Sequence, residues 1–351
     1  MDYIINIIIM RGKIVSTIAI VGTVAALAIF NMNYDPTGMN FLTVESEVEV
    51  AFNNYLTKYK KSVGSKSEYQ QRLAVFTENY HKIMTHNMLN SQKEGYTMAV
   101  NPFADMTPAE YKKMLGYKPQ MKKESNPRYV HVHGDVPTSV DWRQKNAVTP
   151  IKNQGSCGSC WSFSATGAIE GAYAIKSGNL ISLSEQQLVD CSTKQGNEGC
   201  NGGLMDFAFQ YAEEAALETE ADYPYQGSDE KCAFDASKGQ VKITNFVDVP
   251  ANSTAQLEVA VAQGPVSVAI EADSLVFQFY FWGVIKSSWC GTNLDHGVLV
   301  VGYGSDSGTD YWILKNSWGS WWGEKGYFRI KRGGDGPGIC GLQLQASYPT
   351  I

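Results

Sequence analysis

Gln154-Gly155-Ser156-Cys157-Gly158-Ser159-Cys160-Trp161 is the stretch on which the reading of this chain turns. Two cysteines three apart sit in a glycine- and serine-rich loop, and Cys160 to Lys176 carries a helical pattern ended by Gly178. A cysteine at the first position of a helix faces N–H groups without intrahelical partners and the positive end of the helix dipole. Both favour thiolate over thiol, and thiolate is the nucleophile. Two cysteines at this spacing are also compatible with a redox dithiol or half of a zinc site. The first wants a thioredoxin-like βαβ setting, which is not evident, and the second wants another pair, which is absent.

A nucleophilic cysteine needs a base. The chain has five histidines, and only His296 lies beyond residue 135. It stands in Leu294-Asp295-His296-Gly297-Val298, at the start of an apolar strand, 136 positions after Cys160. A lone histidine is usually structural, but here a catalytic Cys160 would otherwise have no base. The imidazole must be oriented by a third group. Asn316, in Lys315-Asn316-Ser317-Trp318-Gly319, ends a strand and can accept the imidazole N–H while Trp318 shields the bond from water. Gln154 can offer an amide N–H beside the backbone N–H of Cys160, a pairing suited to a tetrahedral oxyanion.

Outward from this core, composition divides the chain near residue 135. Before it lie 15 basic and 12 acidic residues and no cysteine; after it lie 14 basic, 23 acidic and all seven cysteines. The first part is helical and Lys-rich, with amphipathic patterns over Glu45–Lys61 and Ser67–Gly95 and a capping sequence Thr107-Pro108-x-Glu110. Gln120 to Pro137 reads as an exposed linker open to proteolysis. The second part opens with helices at Cys160–Lys176, at a Ser184-Glu185-Gln186-Gln187 capping box and over Gly203–Ala215. Strands follow at Val266–Ile270, Gly297–Tyr303, Tyr311–Lys315 and Tyr327–Lys331. Helices first and strands later make an α+β fold with a cleft between its halves. The oppositely charged parts should attract one another, more weakly in acid.

These residues resemble the papain-like cysteine proteases, and among them the cathepsin L branch, from about Glu45 to Ile351. The Cys-Gly-Ser-Cys-Trp core carries the resemblance in the second part. In the first part Glu68, Arg72, Phe76, Asn79, Ile83 and Asn87 repeat a propeptide pattern, and Ala99, Asn101, Phe103 and Asp105 repeat a second, whose leading glycine is Ala99 here. The resemblance implies a two-lobed α+β fold, a helical lobe plus an antiparallel β-barrel-like lobe, with a helical inhibitory propeptide over 45–105. A tail and cleavage linker over 106–135 and a peptidase domain over 136–351 follow. It implies that His296 and Cys160 rest as an imidazolium–thiolate pair, that Asn316 orients His296, and that Gln154 helps hold the oxyanion. Gly202 and Gly203, in a glycine-rich turn that lets backbone approach closely, would bind extended substrate, with Gly203 pairing to its main chain. Leu204, Met205, Ala269, Leu294 and Gln345 would line the pocket for the second residue before the cut, and Trp318 completes the substrate-binding set. Gln345 departs from the small apolar residue of the cathepsin L branch and from the acid of cathepsin B. Leu, Phe or Val is expected in the pocket, with some polar side chains tolerated and no strong attraction for Arg. No insertion resembles the histidine-bearing occluding loop of cathepsin B, so endopeptidase action is expected.

An odd number of cysteines leaves one unpaired. Six allow 15 pairings, from which the resemblance selects Cys157–Cys200, Cys191–Cys232 and Cys290–Cys340, leaving Cys160. No metal and no organic cofactor are implied. The expected partners are protein and peptide substrates and the chain's own propeptide, in a monomer. A net charge of −6 gives no reason to expect nucleic acid, and 44% hydrophobic content argues against wholesale disorder and against a polytopic membrane protein. Ile14 to Phe30 is uncharged and preceded by Arg11 and Lys13, with Ala26-Leu27-Ala28 as a small-x-small cleavage pattern. Residues 1–30 therefore read as a signal peptide or signal anchor, directing the chain to the secretory pathway and on to a lysosome, an acidic vacuole or the exterior. Asn252-Ser253-Thr254 is the only glycosylation sequon. Two other classes compete: an inactive binding or storage homologue, which would require loss of Cys160, His296 or Asn316, and a thiol acyltransferase, which would need a site that favours amines over water.

Overall fold

The structure, a computed structural model, describes residues 8–10, 13–15, 42–119, 136–286 and 289–351. The signal or anchor run and the 120–135 linker therefore lie almost wholly outside the described residues. Two compact units divide at Ser65. In the first, strands β1 (Ile8–Met10) and β2 (Lys13–Val15) pair antiparallel, and helix α1 spans Leu42–Lys58. Phe52 stacks on Tyr55 at 6.0 Å between ring centres, and Tyr55 meets Tyr59 at 5.3 Å, the i, i+3 and i, i+4 spacings of one helix face.

The second unit begins with α2 (Lys66–Leu89). Its polar residues tie down the irregular chain that follows, whose main-chain groups have few ladder partners. Arg72 donates to the Asp105 carbonyl at 3.0 Å and to Glu110 at 2.8 Å. Asn79 donates to the carbonyls of Ala104 and Met106. Asn87 brackets Met98, donating to its carbonyl and accepting its N–H, both at 2.8 Å. Phe76 and Ile83 are buried between them. The chain then runs through β3 (Tyr96–Met98) to α3 (Pro108–Lys112), whose Thr107 cap and Glu110 exchange both bonds of a capping box.

Beyond residue 136 the helices are α4 (Cys160–Ser177), α5 (Glu185–Cys191), α6 (Met205–Glu214) and α7 (Thr254–Gln263). Gly178, with φ +79°, ends α4 in the left-handed conformation glycine adopts without strain. At α5 only half of the expected box forms. Ser184 Oγ accepts the Gln187 N–H, but the Gln187 side chain accepts the N–H of Glu218 instead of reaching back. The Ser184 N–H is satisfied by the Glu218 carbonyl.

The strands are β4 (Val140–Asp141), β5 (Asn245–Asp248), β6 (Val266–Ile270), β7 (Tyr280–Ile285), β8 (His296–Asp306), β9 (Thr309–Lys315), β10 (Tyr327–Lys331) and β11 (Ala346–Thr350). With β3 they form one nine-stranded sheet in the order β3-β7-β10-β9-β8-β6-β11-β5, β4 pairing with β8. It is mixed, not wholly antiparallel: β7 and β10 run parallel, Arg329 opposite Val284. About 40 residues separate those two strands, enough for the crossover that a parallel pair requires. Helix α4 packs on the sheet, with Trp161, Ala165, Ala168 and Ile169 fully buried. Ser164 Oγ donates to the Val298 carbonyl on β8, and Ser267 Oγ on β6 donates to the Ser164 carbonyl. Close approach needs a hydrogen atom at one position: a methyl on Gly167 would fall 2.7 Å from Leu299 Cδ2.

Candidate active site

Cys160 is the first residue of α4, and His296 is the first of β8, the strand against which that helix packs. The backbone N–H of Gly297 donates to Cys160 Sγ at 3.3 Å, so thiol and imidazole come from adjoining positions. His296 Nε2 and Asn316 Oδ1 are 2.9 Å apart, and the same oxygen accepts the Ser317 N–H at 2.8 Å. Asn316 follows the last residue of β9, and the β8–β9 ladder holds the two strands in register. Trp318 stacks on the imidazole at 4.6 Å and 29° and is itself fully buried. His296 Nδ1, on the other side of the ring, is buried without a hydrogen bond.

Gln154 is locked from several directions. Its side-chain oxygen accepts Ser317 Oγ at 2.7 Å, and its backbone N–H donates to the Ser317 carbonyl. Its Nε2 donates to the carbonyls of Cys157 at 2.7 Å and Met114 at 2.8 Å. The loop before Cys160 is anchored by Lys152, which binds Glu170 at 3.0 Å, Glu185 at 2.6 Å and the Leu183 carbonyl. Breaking a buried ion pair of this kind costs about 3–5 kcal/mol, because the surviving charge loses its partner.

The structure brings one more segment into the site, which sequence reasoning assigned only to a tail. Met114 to Lys118 crosses directly over Cys160. The Gly116 N–H donates to Cys160 Sγ at 3.4 Å, and Gly203 donates to the Gly116 carbonyl at 2.8 Å. The Tyr117 N–H donates to the Asp295 carbonyl at 2.9 Å, and the Lys118 N–H to that of Gly203 at 3.4 Å. Tyr117 and Gly203 form a parallel bridge. Gly202, at φ +122°, leaves room for this strap: a methyl there would meet the Gly116 carbonyl oxygen at 2.6 Å. Tyr117 joins an apolar cluster containing Leu204, Met205 and Ala269, with Leu294 packed against it. Gln345 donates from Nε2 to Asp206 and gives its carbonyl oxygen to the Ala269 N–H. The sequence signal for the strap was an apolar Met114-Leu115-Gly116-Tyr117 run between Lys113 and Lys118.

Aromatic packing fastens the strap at its upstream end. Phe103 meets Trp318 edge-on at 5.5 Å and Trp321 at 5.0 Å, and Tyr111 meets Trp318 at 5.7 Å. Asn101 donates to the Gln278 carbonyl, and Ala99 to that of Phe279. Opposite charges also meet, as expected: Lys112 with Asp273 at 2.7 Å and Lys118 with Glu198 at 3.0 Å.

With the strap in place both reacting groups are dry, and this alters the expected resting state. Burial pushes the Cys160 thiol up to about 11, against the backbone N–H bonds from Gly297 and Gly116 that favour thiolate. Burial likewise holds His296 down at about 4, with Asn316 opposing. In the closed form burial thus favours a thiol and a neutral imidazole over an ion pair. The sequence pattern identifies the partners, while solvent access decides where the proton sits.

The three disulfides are Cys157–Cys200, Cys191–Cys232 and Cys290–Cys340, and Cys160 is the free cysteine. The first bridge joins the loop before α4 to the glycine-rich turn, where the Gly158 N–H also donates to the Cys200 carbonyl.

Two family descriptions match the chain. Papain family cysteine protease covers residues 136–350, and cathepsin propeptide inhibitor domain (I29) covers 52–111. Cathepsin L of Sarcophaga peregrina is 46% identical over 318 residues, spanning 87% of this chain and 93% of the relative. Procathepsin L of Mus musculus is 44% identical over 309 residues, spanning 86% and 91%. Among solved structures, digestive procathepsin L 3 of the Tenebrio molitor larval midgut aligns with a TM-score of 0.79 at 43% identity, over 87% of this chain and 99% of that one.

Proposed function

The chain belongs to the papain family of cysteine proteases, and from that premise we propose the following assignment of its residues. It is a cathepsin L-like cysteine endopeptidase made as a proenzyme, with its own propeptide as inhibitor and proteins as substrates. We divide it into a helical inhibitory propeptide over 45–105, a tail and cleavage linker over 106–135 and a peptidase domain over 136–351. It acts as a monomer without a nucleic-acid partner, in the secretory pathway and an acidic or extracellular compartment.

Cys160 is the nucleophile and His296 the base. Once the strap leaves, water reaches the pair, the desolvation penalty falls, and the proton can pass from sulfur to imidazole. The thiolate attacks the peptide carbonyl carbon, forming a C–S bond. The oxyanion is held by Gln154 Nε2 and the Cys160 backbone N–H, each donor worth about 3 kcal/mol. His296 protonates the leaving amine as the C–N bond breaks. Water then attacks the acyl-enzyme, giving its proton to His296 and releasing acid and thiolate. Asn316 fixes the ring and Trp318 keeps water from that bond.

The observation that carries this assignment is the strap itself. It engages Gly203 by its main chain, the Gln154 amide by a carbonyl and Cys160 by an N–H, the groups a substrate would need. Gly202 and Gly203 bind extended chain, and Leu204, Met205, Ala269, Leu294 and Gln345 form the pocket for the second residue before the cut. The test is acid activation followed by labelling with a thiol-directed epoxide, comparing Cys160→Ala. Labelling and cleavage should both vanish; equal peptide cleavage by the variant would refute the mechanism. A peptide pair with Leu or Arg before the cut tests the pocket, and a clear Arg preference would overturn the apolar assignment.

A further inference from the structure

Tyr225 joins the two ends of the loop that leads into α4. Its hydroxyl lies 2.9 Å from the Gln154 carbonyl oxygen and 2.6 Å from Ser159 Oγ. A carbonyl only accepts, so the single phenolic hydrogen goes to Gln154, and the Ser159 hydroxyl donates to the Tyr225 oxygen. Gln154 and Ser159 are both fully buried. Between them run Gly155, at φ +63°, Ser156, Cys157 and Gly158, held at their middle by the Cys157–Cys200 bridge. Ser159 is the N-cap of α4, where a serine hydroxyl ordinarily accepts a helix N–H. It makes no such bond and is turned to Tyr225 instead. Tyr225 is itself held at both ends. Phe163 of α4 meets its ring edge-on at 4.9 Å, and its backbone N–H donates to Glu220 at 2.9 Å.

We propose that Tyr225 is a positioning residue for the oxyanion site: by tying the Gln154 carbonyl to the Ser159 hydroxyl, it sets the separation between the Gln154 amide and the Cys160 backbone N–H. The inference rests on the roles given to those two donors above. The Cys160 N–H belongs to the peptide unit that Ser159 begins, and the Gln154 amide hangs from the residue whose carbonyl Tyr225 holds. Both donors therefore move with atoms that the bridge fixes. One oxygen must meet the two together, so a shift of either weakens the pair at the moment charge develops.

The test uses activated enzyme and Tyr225→Phe, which keeps the ring against Phe163 and removes only the hydroxyl. For an amide peptide kcat should fall about five- to thirtyfold, below the roughly 100-fold or greater loss that follows removal of a whole donor. KM should stay within about twofold, the pattern of an interaction made only in the transition state. Alkylation of Cys160 by iodoacetamide forms no oxyanion, so its rate and pH profile should be those of the unmodified enzyme. Ser159→Ala cuts the other half of the bridge and should lower kcat about two- to tenfold in the same pattern. The double variant should be within about twofold of Tyr225→Phe, because both changes break one bridge. An unchanged kcat in Tyr225→Phe, a parallel loss of alkylation, or additive losses in the double variant would overturn the proposal. Should a melting curve show Tyr225→Phe unfolded, Ser159→Ala decides alone, and its cleaving at the unmodified kcat would overturn the proposal. Peptide cleavage by Gln154→Ala at the unmodified rate would instead remove the oxyanion assignment on which it rests.

Discussion

Gly116→Ala should unlatch the proenzyme. The methyl carbon would fall 1.7 Å from the Gly158 carbonyl oxygen and 2.4 Å from its carbonyl carbon. Both are backbone atoms, and Gly158 is itself pinned by its bond to Cys200 and the adjoining Cys157 bridge. The strap must therefore retreat by more than an ångström, beyond hydrogen-bonding range for the Gly203–Gly116 and Gly116–Cys160 contacts, and it strains the Tyr117–Asp295 bond. At about 1 kcal/mol net for each of two to three bonds, the closed form loses about 2–3 kcal/mol. That is about a 30- to 150-fold rise in the open fraction. The assay is the rate at which a thiol-directed epoxide labels Cys160 in uncleaved proenzyme at neutral pH, with a melting curve to show that the variant is folded. A folded variant labelled at the unmodified rate would refute the latch and with it the role assigned to residues 114–118.

The protonation states of the closed site give a second expectation. An imidazole held near 4 takes up its proton on opening wherever the pH lies below its ordinary value of about 6.5. The closed form's advantage is intact above that pH and is lost as pH falls toward 4, so labelling of uncleaved proenzyme should accelerate between pH 6.5 and 4. Asp295, raised to about 7 mainly by burial, acts in the opposite sense, keeping its proton in the closed form. Asp295→Asn should therefore steepen the acid rise, and a shallower rise would contradict the scheme. Glu110 is held at about 2, chiefly by its hydrogen bond from Arg72, so this pair supports the propeptide above the usual carboxylate range and is lost only as pH falls toward 2. Arg72→Ala should accordingly cost the proenzyme about 1 kcal/mol at both pH 7 and pH 5, the value for a part-exposed pair. Melting curves in which the loss vanished at pH 5 would refute that account.

Local chemistry made much of this legible before the structure. The helix from Cys160 to its Gly178 stop, the Thr107 capping box and the apolar β6 and β10 all follow patterns that tertiary packing does not override. Strand β7 was not read because exposed Phe281 and Trp282 beside Gly283 break any inside–outside alternation. Strand β11 carries Pro349, which argues against a strand, and helix α7 is capped by Ser253, inside a tripeptide read only as a glycosylation sequon. The reacting residues were recognisable from their types and spacing, but their protonation was not, because it depends on 0% exposure of Cys160 and His296 beneath a segment more than 40 residues away in sequence.

The covered thiol also bears on how the chain acquires its disulfides. Thiol–disulfide exchange proceeds through thiolate, and an odd cysteine three residues from Cys157 is well placed to capture the wrong partner. A Cys160 that is fully buried and pushed up to about 11 contributes almost no thiolate at neutral pH. In the closed form the strap thus withholds the seventh cysteine from exchange with the three bridges. The same few residues that withhold the enzyme from its substrates also keep its nucleophile reduced until it is needed.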